Sequence, residues 1–149
     1  MDHRYYMGYA LEEARIAFEM GEVPIGAVIV KQGKIISATH NMKETWQDPT
    51  AHAEVIAMRN ASKSIGSWRL SDCTLYVTLE PCPMCAGAIV QARIKQLVYG
   101  APDLKAGAVD SVLNVVENPK LNHRVEVIPG IMSEESKKLM QLFFKQRRG

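Results

Sequence analysis

The chain has 149 residues, of which 47% are hydrophobic and 23% charged, with a net charge of +2. That composition excludes a wholly disordered chain, and the near-balance of charge neither requires nor forbids a nucleic-acid partner. Three cysteines, Cys73, Cys82 and Cys85, are too few and too odd in number for a secreted disulfide scaffold, and no apolar run reaches the ~20 residues of a membrane span.

Met7, Ala10, Leu11, Ala14, Ala17 and Phe18 recur at helical spacing, and Gly21 follows as a stop. Residues 24–30 form a β-rich run, residues 31–34 a turn, and residues 35–38 the returning strand of a hairpin. A polar stretch covers residues 40–49. Thr50 is then placed to cap a helix over residues 53–64, which Gly66 ends. A short strand is expected at 75–77, a helix at 83–92 opened by Pro83, and a strand at 96–99 stopped by Gly100 and Pro102. Residues 101–124 hold turn residues and one apolar run, 112–116, read as a short helix. A strand at 125–128 precedes a last helix capped by Ser133. That helix carries Glu134 and Glu135 at its start and Lys145, Arg147 and Arg148 at its end, an order that suits its dipole.

No repeat, low-complexity tract or linker divides the chain, so residues 1–149 read as one domain. A hairpin followed by strand–helix–strand units implies a mixed sheet covered by helices. The N-terminus is too polar for a signal peptide, and the expected location is a reducing cytoplasm.

Two segments carry chemistry, His52-Ala53-Glu54 and Pro81-Cys82-Pro83-Met84-Cys85. Cys82 and Cys85 stand three apart at a helix start, where free N–H groups favour thiolates. Alone, the pair fits a redox site, half of a structural zinc site or two buried cysteines. With His52 it supplies three of zinc's four positions, which leaves one for water. Glu54 is then the carboxylate able to take a proton from that water and return it. Two steps along an ideal helix turn by about 200°, so His52 is expected at the irregular start of its helix. Met84 reads as packing, and Phe143 and Phe144 as core more readily than as base-stacking residues. Lys145, Arg147 and Arg148 suit either a solvated helix end or phosphate contacts.

The His-Ala-Glu and Pro-Cys-Pro-Met-Cys combination resembles the zinc nucleobase deaminase superfamily. EVPIGAVIV, NMKETWQDPTAHAE, TLEPCPMCAGAI, GAPDLKAGA and NHRVEV extend the likeness to bacterial tRNA adenosine deaminases along nearly the whole chain. The resemblance implies an α/β fold, a three-layer α/β/α cytidine-deaminase-like arrangement around a mixed five-stranded sheet. It implies one Zn2+ per subunit on His52, Cys82 and Cys85, with Glu54 as the proton carrier. It places Asn41 on the target base and Asp103 near the nucleotide's sugar and phosphate, where Pro102 replaces a basic residue of some relatives. The implied activity is conversion of the wobble adenosine of an arginine tRNA anticodon to inosine, by a homodimer. A free-base or nucleoside deaminase would share the same metal chemistry, whereas an RNA-binding module with structural zinc would need a fourth protein ligand.

Overall fold

The computed structural model describes residues 2–148, with the side chain of Arg148 outside the described residues. Ten elements follow in chain order: α1 (His3–Glu19), β1 (Gly26–Lys31), β2 (Lys34–His40), α2 (Lys43–Trp46), α3 (Ala53–Ile65), β3 (Cys73–Leu79), α4 (Pro83–Gln91), β4 (Gln96–Ala101), β5 (Glu126–Ile128) and α5 (Ser133–Arg148). The five strands form one mixed sheet in the order β2-β1-β3-β4-β5. β1 is antiparallel to β2 and β3, while β3, β4 and β5 run parallel.

Alternation along the strands builds the two faces. Ala27, Ile29, Leu75, Val77, Leu97 and Tyr99 point into the larger core, beneath α3 and α4. Val28, Val30, Tyr76 and Val98 point the other way and meet Met7, Ala10 and Leu11 of α1. α5 joins that second layer, where the buried Ser136 donates its hydroxyl to the Thr78 carbonyl at 2.5 Å. The result is an α/β/α sandwich. Full burial of one side chain such as Leu11 contributes about 1.5–3 kcal/mol. At Gly26 a Cβ would lie 1.9 Å from the Ala10 carbonyl oxygen, so α1 rests directly on the β1 backbone.

The hairpin turn falls on Gln32 and Gly33, with φ of 51° and 76°. Two successive positive φ values match the twist of the strands they join. Elsewhere the sequence expectations shift. Thr50 does not cap α3; it turns back to Asp48, and His52 occupies the cap position. The polar stretch 40–49 contains α2. β3 and β4 outrun their expected ends, and Gly100 lies inside β4, where a Cβ would come within 2.5 Å of the Thr78 carbonyl oxygen. The small residue permits a close strand approach. Residues 112–116 form no helix, because Val112, Leu113 and Val115 donate back to Gly107 and Ala108 in an irregular loop. Met132 accepts from Ser136, so Ser133 lies inside the first turn of α5 instead of capping it.

Candidate active site

The N-termini of α3 and α4 meet at one point. His52 is the N-cap of α3 and Cys82 the N-cap of α4, both in extended conformation (φ/ψ −82°/149° and −76°/174°). Pro83 opens α4 without wasting an amide hydrogen, and Cys85 follows on its first turn. The His52 Nδ1 atom lies 3.6 Å from Cys82 Sγ and 3.5 Å from Cys85 Sγ. The three ligand atoms all lie within 4.8 Å of one another.

This triangle fits a tetrahedral metal ion. Metal–sulfur bonds of about 2.3 Å and metal–nitrogen bonds of about 2.0 Å at a tetrahedral angle separate S from N by about 3.5 Å. Among the described residues no fourth histidine or thiol joins the group. His3 bonds Tyr76, His40 pairs with Glu13, His123 bonds the Ile94 carbonyl, and Cys73 is buried at the start of β3.

Electrostatics within the cluster follow from shared protons. A hydrogen bond from Cys85, assisted by His52, pulls the Cys82 thiol down to about 4. Cys85, the donor in that bond and itself buried, is pushed up. His52 is raised, first by its bond to Cys82. The Glu54 side chain, 4% exposed, packs against the same sulfurs, and burial lifts its carboxyl to about 7. His52 stands at the non-helical cap, so the two-residue offset does not send Glu54 to the opposite side.

Residues 1–148 match the family described as MafB19-like deaminase. The chain belongs to that deaminase family. A tRNA-specific adenosine deaminase of Aquifex aeolicus is 49% identical over 150 residues, covering 99% of this chain and 97% of the relative. The tRNA-specific adenosine deaminase of Bacillus subtilis is 48% identical over 143 residues, covering 96% of this chain and 89% of the relative. A solved tRNA:A34 deaminase, of the kind that carries out A-to-I editing at the tRNA wobble position, superposes with a TM-score of 0.88. It is 46% identical, and the match covers 91% of this chain and 98% of that one.

The remaining candidate residues of this deaminase surround the cluster unevenly. Asn41 is buried, and its Oδ1 accepts the Ala53 amide hydrogen at 2.9 Å. That bond fixes the amide orientation and leaves Nδ2 as the donor end. Asp103 uses Oδ1 to accept from the Lys105 and Ala106 amides, both at 3.1 Å, so much of its carboxylate serves a turn. Met84 is 38% exposed and does not pack into the core of this chain. Phe143 is buried against Phe18, whereas Phe144 is exposed. Arg147 lies over the Phe143 ring and donates to the Gly21 carbonyl, and Lys145 lines a cleft of about 1000 Å³ beside α5.

Two buried carboxylates escaped the sequence reading. Glu22 accepts from the Glu44 and Thr45 amides and the Thr45 hydroxyl, which ties α2 to the end of α1. Glu80 does the same for residues 103–111. Glu80 stands two residues before Cys82 in the motif, but its partners lie 23–31 residues downstream, beyond any local pattern.

Proposed function

We propose that this deaminase converts the wobble adenosine of an arginine tRNA anticodon to inosine, acting as a cytoplasmic homodimer with one zinc ion per subunit. The observation that carries the reading is the His52–Cys82–Cys85 triangle with Glu54 buried against it. The relatives named tRNA-specific adenosine deaminases, matched over nearly the full chain, supply the substrate class.

His52 Nδ1, Cys82 Sγ and Cys85 Sγ would hold the zinc. When bound, zinc supplies Lewis acidity that brings the pKa of water to about 7. Two thiolates are the soft donors that such an ion favours. Glu54 takes a proton from the attacking water and delivers it to N1 of the adenine ring as the C6–O bond forms. The second water proton then reaches the amino group, C6–N6 breaks, and ammonia leaves. Water and adenosine thus become inosine and ammonia. A carboxyl whose buried environment sets it near 7 can both accept and return a proton near neutral pH.

Asn41 holds the α3 N-terminus through its oxygen and offers Nδ2 to the base. Asp103, in the loop beside the cleft, offers its remaining acceptor to a ribose hydroxyl. An anticodon loop suits the site because its bases are extruded at lower cost than those of a duplex, where flipping takes a few kcal/mol.

The test is incubation of the zinc-loaded protein with an arginine tRNA anticodon stem-loop and, separately, with free guanine, cytosine and adenosine. Inosine formed in the stem-loop supports the reading. Turnover of a free base or nucleoside alone replaces it with a small-molecule deaminase, and no ammonia from any substrate replaces it with a binding module.

A further inference from the structure

Glu80 is 2% exposed at the point where β3 gives way to the turn carrying Cys82. Its Oε2 accepts the amide hydrogens of Val109 (3.1 Å), Asp110 (2.8 Å) and Ser111 (3.0 Å). Its Oε1 accepts the Asp103 amide (3.0 Å) and the Ser111 hydroxyl (2.5 Å). Among the described residues no cation pairs with it. The charge is held by four backbone N–H dipoles and one hydroxyl that converge on its two oxygens. A Cβ on Gly107 would lie 2.4 Å from the carboxyl carbon, so the loop backbone lies flat against the carboxylate.

The loop so held is one wall of the cleft of about 1000 Å³. Asp103, Leu104 and Lys105 form that wall, and Lys137, Phe144 and Lys145 of α5 face it. Leu104 is 79% exposed, so its position is not fixed by packing in this chain's core. The same segment is joined to the ligand-bearing turn by backbone bonds: Ala108 N–H to the Pro81 carbonyl, and Glu80 N–H to the Ala101 carbonyl.

We propose that Glu80 is a positioning residue for the polynucleotide substrate: it binds residues 103–111 to the turn that bears Cys82 and so sets the cleft wall relative to the metal-ligand cluster. The inference rests on the polynucleotide reading of the site. Charge-assisted bonds are about twice as strong as neutral ones, and a carboxylate can accept at both oxygens. A glutamine has the same shape, but its NH2 group would face amide hydrogens. At the Oε1 position it forfeits the Asp103 bond, the Ser111 hydroxyl turning to accept, and at the Oε2 position it forfeits three bonds. Either way the charge that strengthens the others is lost.

The experiment compares the zinc-loaded wild type, Glu80→Gln, Glu80→Asp and Ser111→Ala. Metal content, stem-loop kinetics and amide hydrogen exchange of residues 109–111 are measured for each. In Glu80→Gln, KM for the stem-loop should rise about tenfold, as expected for losing bonds to a charged group, with kcat within about threefold. Metal content should stay at the wild-type value and exchange at 109–111 should quicken. Glu80→Asp should recover part of the KM. Ser111→Ala, which removes one donor of five, should raise KM in the same direction by about threefold, and this holds the test open if Glu80→Gln does not fold. Unchanged KM with unchanged exchange overturns the proposal, as does a parallel loss of metal and kcat, which would make Glu80 a support for Cys82 alone. If the wild type leaves the stem-loop unmodified, the substrate reading fails. The exchange rates then still decide Glu80, because unchanged protection at 109–111 removes it from loop positioning.

Discussion

Asn41 Oδ1 accepts the Ala53 amide hydrogen at 2.9 Å, and Ala53 is the residue between His52 and Glu54. A side chain from the end of the hairpin thus sets the first turn of the helix that carries a metal-ligand candidate and the candidate proton carrier. Asn41→Ala should strand a buried N–H and cost about 1–3 kcal/mol. Asn41→Asp keeps the acceptor and loses the donor, so it should retain more stability while still reducing kcat/KM. Denaturant unfolding beside steady-state kinetics separates the two effects, and equal stability losses would remove the helix-start role.

Glu54→Ala should retain metal while deamination falls by about 10²–10⁴, the range for losing a positioned acid–base group. Metal analysis and inosine quantification check this together. Substantial turnover in the metal-replete variant would take Glu54 out of proton transfer.

Cys82→Ala and Cys85→Ala should each lose metal, and chelation of the wild type should abolish ammonia release and lower Tm. The thermal shift follows because an ion bound only by the folded state stabilises that state. A chelator that leaves both activity and Tm untouched would argue that the triangle holds no ion.

The pH dependence of stability should carry the mark of Glu22 and Glu80. In both, burial pushes the carboxyl up, but hydrogen bonds from Thr45 and Glu44, and from Ser111, Asp110 and Asp103, outweigh it and lower the pKa on folding. A carboxylate depressed in the folded state contributes stability above its unfolded pKa of about 4.3, and that contribution is lost as pH falls through the folded value. Glu80→Gln should therefore lower stability at neutral pH and flatten the acid limb of the curve. Unfolding free energies between pH 7 and pH 3 measure it, and parallel curves would contradict the assignment.

Gly26→Ala should destabilise the fold by about 1–3 kcal/mol, the usual cost of overpacking. The added Cβ would meet the Ala10 carbonyl, the Ala14 amide nitrogen and the Glu13 side chain, forcing α1 off β1. Thermal unfolding of the metal-loaded protein reads the shift.

Local chemistry made much of this chain legible from its residues. Apolar spacing in α1, alternation in β1 and the Gln32-Gly33 turn depend on neighbours within a few positions. So does the proline that starts α4, and with it the Cys82–Cys85 spacing. A mixed sheet covered by helices follows from that order, whereas its three-layer arrangement was implied by the resemblance to the deaminases. The strand and helix ends were less legible: Thr50 and Ser133 have the right side chains for caps, but tertiary placement put His52 at the cap of α3 and Ser133 inside the first turn of α5.

Only the folded chain decided that His52 lies 3.5–3.6 Å from sulfurs 30 and 33 residues away. It also gave Asn41's oxygen to Ala53, and gathered five donors from a distant loop on Glu80. The reason is physical. A periodic pattern records which face of an element is buried, because burial acts on every turn alike. A carboxylate that binds amides 23–31 residues ahead leaves no such trace, since any backbone can donate and only the closed fold determines which ones do.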